Sequence, residues 1–244
     1  MWNLPKPHGD ASRFPRISRR GLFFYGAGIA ALLAGAGSAL FRHISSTSSV
    51  TVESFMTPGT ERKKRILLLT GSARVGGNSD LLAEAFAGGA REAGHTVDIF
   101  PCGRWRMSAC LHCERCWTAG APCVLRDSFE NLWPLLETAE VLVFCSPLYW
   151  YAFSGHIKCA LDRMYPYSKK ERQRDMPVKE AMLLMCGESL LLRSFAGAAE
   201  AYRQTLGLRR WKDRGRLFVT GVHEMGAMAG HPALATAAAM GRNA

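Results

Sequence analysis

A doubly wound α/β domain, a mostly parallel sheet covered by helices on both faces, is the fold this sequence predicts. Three observations carry that expectation. Apolar runs recur without polar alternation, as in strands buried on both sides. Helical periodicity fills the intervals between them. The first run empties directly into a glycine-rich loop, the usual strand–turn–helix of such sheets.

The chain has 244 residues, and its N-terminal stretch stands apart from this pattern. Lys6, Arg13, Arg16, Arg19 and Arg20 are opposed only by Asp10. SRRGLFF and the mildly apolar GAGIAALLAGAGSAL follow. Adjacent arginines before such a stretch resemble a twin-arginine export signal. Residues 1–42 are therefore read as a leader, either cleaved to release a periplasmic protein or retained as an inner-membrane anchor. Leu22 to Phe41 has about the ~20 residues that a span needs, diluted by four glycines. The Ser/Thr-rich stretch 43–63 reads as a linker, and 64–244 as the folded domain. Losing the first forty residues lowers the net charge from +11 to about +7. That excess is scattered. KKERQR, from Lys169 to Arg174, reads as a solvated loop without interleaved aromatics, so nucleic acid is excluded as a partner.

Within the domain, Ile66–Thr70, Val141–Cys145, Ala181–Cys186 and Arg216–Gly221 are the four buried strands. His95–Phe100 is a more polar fifth, suited to an edge. Ser79–Ala93, Phe129–Thr138, His156–Tyr165 and Leu190–Leu206 carry apolar faces at helical spacing. In the order 2-1-3-4-5, a ligand binds outside the carboxyl ends of the first and third strands.

Two segments supply chemistry there. In GSARVGGNS, from Gly71 to Ser79, backbone N–H groups converge at a helix N-terminus. A phosphate is the natural occupant of such a place. Ser72, Asn78 and Ser79 add neutral donors, Arg74 adds a charge, and Gly76 and Gly77 permit close backbone approach. The loop is neither a Walker A motif nor the dinucleotide GxGxxG. After the third strand, Tyr149, Trp150 and Tyr151 stand in succession with Phe153 nearby, offering stacking partners to a planar ligand. Pro147 stiffens that turn, and Ser154 and Gly155 open the next helix. Lys158, Asp162 and Arg163 read as a surface ion-pair group.

GSARVGGNS, SPLYWYAFSGHIKCALDRM and the C-terminal GVHEMGAM, HPAL and AAAMGRN together resemble the flavodoxin-like NAD(P)H-dependent FMN reductase family and its iron–sulfur flavoprotein branch. The resemblance covers about Lys64 to the C-terminus. It implies that Ser72, Arg74, Gly77, Asn78 and Ser79 hold the FMN phosphate. It implies further that Pro147, Leu148, Tyr149, Trp150 and Tyr151, with Ser154 and Gly155, line the isoalloxazine, and that Gly187 is a third contact.

Cys110, Cys113, Cys116 and Cys123 form C-x2-C-x2-C-x6-C inside a loop at 102–123. Three closely spaced thiolates and a fourth are typical of [4Fe–4S] loops, and the resemblance points the same way. Structural zinc, disulfides or free thiols are the alternatives. Cys145 and Cys186 end strands and read as packing residues, while Cys102 and Cys159 carry no evident chemistry.

The resulting expectation is an exported FMN oxidoreductase that moves electrons from NAD(P)H to a quinone, flavin or other small acceptor, as a homo-oligomer and without an obligatory acid or base. An electron carrier with FMN and a [4Fe–4S] cluster, served by a redox protein partner, is the alternative. A zinc-stapled α/β binding domain without flavin is the third. Membrane contact is expected only through a retained leader.

Overall fold

The computed structural model describes residues 49–53, 62–168 and 174–244. The leader expectation lies outside them, as does most of the expected linker. Among the described residues no helix is long and apolar enough to cross a membrane.

Six strands form one sheet: β1 (Val50–Glu53), β2 (Arg65–Thr70), β3 (Thr96–Phe100), β4 (Val141–Pro147), β5 (Glu180–Cys186) and β6 (Lys212–Val219). Their spatial order is β1-β6-β5-β4-β2-β3. From β3 to β6 every neighbouring pair is parallel. The more polar β3 occupies one edge, as its half-exposed pattern requires.

Among the described residues, five α-helices accompany the sheet: α1 (Asn78–Glu92), α2 (Phe129–Leu136), α3 (Gly155–Arg163), α4 (Ala196–Arg209) and α5 (Ala233–Arg242). Alternate residues of β2 and β4 face opposite layers. Leu67, Leu69, Leu142 and Phe144 pack with residues of α2, α3 and α4. Ile66, Leu68, Val141 and Val143 pack with residues of α1 and α5. Full burial on both faces is why these strands read as unbroken apolar runs.

Four local expectations need correction. Among the described residues the sheet has six strands rather than five, because Val50–Glu53, inside the stretch expected as a linker, pairs antiparallel with β6. A hydroxyl contact between Ser49 and Thr220 at 2.8 Å closes that pairing at its end. Four residues are too few to show alternation against a Ser/Thr-rich background. The helix α5 was not expected, since AAAM offers little contrast between faces. The fourth helix starts at Ala196 rather than Leu190, after a short 3-10 turn over Leu192–Phe195, and Leu190, Leu191 and Leu192 are exposed.

The fourth correction concerns Arg163, which is buried rather than on the surface. Its guanidinium donates to both oxygens of Asp127, at 2.9 and 3.2 Å, and to the Ser108 carbonyl at 3.0 Å. It also stacks 4.6 Å from the centre of the Phe129 ring. Lys158 and Asp162 do form an exposed pair, 2.6 Å apart.

Backbone contact sets the α1–α5 layer. A Cβ at Gly89 would lie 2.0 Å from the Ala238 carbonyl oxygen, and one at Gly241 would lie 2.0 Å from that of Phe86. Neither obstacle is a side chain that could swing away. Gly241→Ala must therefore push α5 off α1 at a point of close backbone contact. The expected cost is about 1–3 kcal/mol, read as a lower urea midpoint at unchanged slope.

Candidate cofactor site

The sheet's carboxyl edge carries the site. From Thr70 the chain turns through Gly71 to Gly77 and enters α1. The N-cap is Gly77, which has no side chain to offer, and the first intrahelical bond is Leu81 N–H to the Gly77 carbonyl. The N–H groups of Asn78, Ser79 and Asp80 precede that bond, so this turn retains donors for a ligand. Gly76 has a φ of 68°, a conformation that favours glycine.

A cavity of about 220 Å³ opens over this turn. Ser72, Arg74, Gly77, Asn78 and Ser79 line one side. Pro147, Leu148 and Tyr149, from the end of β4, line another together with Gly187 from the end of β5. The two turns expected to share one ligand thus border one cavity. A wider apolar hollow, about 520 Å³, lies elsewhere among Phe153, Leu161, Met164 and Trp211. It has no loop of N–H donors, so its size carries less weight than the chemistry of the smaller cavity.

Several side chains do other work than expected. Ser72 accepts from the Arg74 N–H at 3.1 Å and shapes the turn. The Ser79 hydroxyl lies 3.5 Å from the Cys186 sulfur. Asn78 donates to the Glu224 carbonyl at 3.0 Å and accepts from the Met228 N–H at 3.1 Å, so its amide pins the loop after β6.

Trp150, Tyr151, Ser154 and Gly155 do not line the cavity. Trp150 and Tyr151 are the central residues of a tight turn closed by paired bonds between Tyr149 and Ala152, at 3.1 and 3.0 Å. Both take positive φ, 48° and 62°, which turns their rings outward. Ser154 is fully buried as the N-cap of α3, accepting from Ile157 N–H at 3.4 Å. Gly155 is the exposed first residue of that helix.

Sequence reasoning missed the opposite wall. Glu188, Val222, His223 and Met225 also line the cavity, and His223 Nδ1 stands 3.2 Å from the Glu188 carboxylate. The GVHEMGAM motif was the available signal, but no role could be read from it alone.

The four loop cysteines surround a hollow of about 20 Å³ together with Arg163 and Tyr165. Burial pushes the Cys116 thiol up from its ordinary value, and Cys123, Cys110 and Cys113 push it the same way. His112 donates its N–H to the Cys110 sulfur at 3.4 Å, and His112 and Glu114 take positive φ. Even so, among the described residues no three Cys, His, Asp or Glu side chains converge to hold a metal. Cys102 and Cys186 are buried, their thiols raised by desolvation to about 12 and about 11.

Residues 64–221 match the NADPH-dependent FMN reductase family. An iron–sulfur flavoprotein of Archaeoglobus fulgidus is 28% identical over 102 residues, 42% of this chain and 46% of its own. The iron–sulfur flavoprotein MJ0731 of Methanocaldococcus jannaschii is 29% identical over 73 residues, 30% of this chain and 37% of its own. The matches thus span half or less of each of these curated relatives. Among solved structures, an NAD(P)H:quinone oxidoreductase from Methanothermobacter marburgensis superposes with a TM-score of 0.60 at 21% identity, covering 75% of this chain and 97% of that one. At that identity the likeness establishes the flavodoxin-like fold.

The cysteine loop hangs on the Arg163–Asp127 pair. Burial alone would raise the Asp127 carboxyl, yet bonds from Arg163 and from the N–H groups of Ser108 and Phe129 outweigh it and hold the group below its usual value. A depressed carboxyl stabilises above its unfolded value, roughly pH 4, and that stability is lost as pH falls through the folded value. Hydrogen-exchange protection across residues 106–128, taken relative to the intrinsic rate at each pH, should therefore fall below about pH 4 in the wild type. Asp127→Asn should show fast exchange already at neutral pH, because it leaves Arg163 buried without its carboxylate, at a cost of about 3–5 kcal/mol.

Proposed function

The chain belongs to the NADPH-dependent FMN reductase family, and we propose that it is an FMN-dependent oxidoreductase passing electrons from NAD(P)H to a quinone, flavin or other small acceptor. One observation carries the reading. The donor-rich first turn of α1 and the Pro147–Tyr149 turn border a single cavity. Such a cavity suits a ligand with an anionic tail and a planar head.

The first-turn N–H groups and Arg74 would hold the phosphate, an arrangement favoured by the positive end of the helix. Leu148, Tyr149 and Gly187 would border the ring. A Cβ at Gly187 would come within 2.9 Å of that of Leu148, so the absence of a side chain there keeps the wall closed and thin. When bound, FMN supplies both hydride and single-electron chemistry, and the chain supplies orientation. Arg74→Ala should weaken FMN binding roughly tenfold, about 1.4 kcal/mol, with an unchanged circular dichroism spectrum. Equal flavin retention after dialysis would remove Arg74 from the phosphate. An FMN-loaded protein that oxidises neither NADH nor NADPH, yet accepts electrons from a redox protein, would make it a carrier rather than a reductase.

A second reading concerns the cysteines. We infer a [4Fe–4S] cluster at Cys110, Cys113, Cys116 and Cys123, supported by four thiols around one hollow and by relatives named iron–sulfur flavoproteins. Four soft sulfur donors suit iron and sulfide, although the loop must open to admit them. Anaerobically prepared protein should contain iron and sulfide and absorb broadly near ~400 nm, and Cys113→Ser should lose that band while keeping its flavin. Zinc in place of iron defeats this reading. The Arg19-Arg20 leader, outside the described residues, supports export by the twin-arginine route. That route suits a protein folded around its cofactor before transport.

A further inference from the structure

Asp80 sits in the first turn of α1, within the very turn read as the phosphate site. A carboxylate there complements the helix dipole but repels a phosphate. The structure offsets it with Arg104, whose guanidinium pairs with Asp80 Oδ2. The same oxygen accepts from the Gly76 N–H at 2.9 Å. Asp80 Oδ1 is buried without a partner and borders a hollow behind the loop with Thr70, Gly76 and Arg104.

Arg104 is carried in by a strap that touches the phosphate loop through backbone. Gly103 donates to the Thr70 carbonyl at 3.2 Å, and a Cβ on Gly103 would lie 2.2 Å from the Ser72 carbonyl oxygen. Arg104 itself donates its N–H to the Pro101 carbonyl at 2.9 Å. Phe100 and Trp105 stack at 5.4 Å on either side of the strap. Its position is thus fixed from several directions, and Arg104 has a defined address beside Asp80.

We propose that Arg104 is a positioning and charge-balancing residue for the FMN phosphate: it neutralises Asp80, leaving that carboxylate to hold Gly76 in place without repelling the cofactor. This rests on the reading of the α1 turn as the FMN phosphate site. It also gives the segment leading to the cysteine loop a direct hold on flavin affinity. No other charged side chain is paired with Asp80 among the described residues, so the balance depends on Arg104.

The test titrates flavin-free full-length protein with FMN and with riboflavin, which lacks the phosphate, following flavin fluorescence. Arg104→Gln should weaken FMN about tenfold and leave riboflavin unchanged, the pattern of an unbalanced charge felt only by an anion. Asp80→Asn should bind FMN at least as tightly as wild type, because an amide oxygen still accepts from Gly76 while the negative charge is gone. Combining the two substitutions should recover most of the affinity lost by Arg104→Gln, and Arg104→Lys should stay near wild type. Unchanged FMN binding in Arg104→Gln overturns the proposal, as does parallel weakening of FMN and riboflavin, or a double variant worse than the single one. If Arg104→Gln does not fold, Asp80→Asn decides: weaker FMN binding there overturns the proposal. If wild type binds FMN and riboflavin equally, the phosphate site itself is refuted, a failure separable from that of the pair.

Discussion

The first turn of α1 is the constraint around which the sheet's carboxyl edge is organised. A helix whose N-cap is Gly77 has no side chain to satisfy its leading N–H groups. Those groups must meet water or a ligand, and the surrounding chain is arranged so that they meet a cavity. Ser72 and Asp80 each bind loop N–H groups that point elsewhere. Asn78 spends its amide on the Glu224–Met228 loop and so draws the far wall into place. The side chains nearest the site thus build the loop, and the backbone is left to bind.

This division explains how much of the site could be read from sequence. The glycines and small polar residues of GSARVGGNS announce a backbone-lined anion site, because no other use of such a strand–loop–helix is as natural. They do not announce which small side chain faces the ligand. Ser72, Asn78 and Ser79 each have one short polar group with several equivalent uses, and tertiary contacts between residues as far apart as Asn78 and Glu224 decide among them. The aromatic run is divided for a related reason, with Tyr149 in the cavity wall and Trp150 and Tyr151 outside it. Three adjacent rings cannot all point one way on a strand, and the chain resolves this by turning at Trp150 and Tyr151. That turn uses positive φ at two bulky residues, at a cost of order 1–3 kcal/mol each.

For the fold, the strongly apolar strands were legible because burial on both faces leaves an unbroken pattern. What stayed hidden were elements whose stability is not written in hydrophobic contrast. α5 binds α1 by close backbone approach at Gly89 and Gly241, a contact made possible by missing side chains. β1 exists because β6 leaves an edge to be paired, with Val50 opposite Val219 and Val52 opposite Leu217. Arg163 follows a helical spacing suited to a surface, yet Asp127 and the Ser108 carbonyl, distant in sequence, receive it inside.

The cysteines divide by the same physics. Cys145 within β4 and Cys186 at the end of the neighbouring parallel β5 lie where desolvation raises both thiols and suppresses the thiolate that metal binding and exchange require. The Cys110–Cys123 loop lies outside the sheet, held at its base by Arg163 and Asp127 and joined to the α1 turn through the Gly103–Arg104 strap. Soft chemistry is therefore confined to a loop with its own anchor, while Cys186, in the cavity wall, carries a thiol that desolvation keeps protonated. The loop is not independent of the sheet, because two ion pairs and the packing of Met107 and Cys123 against the core join them.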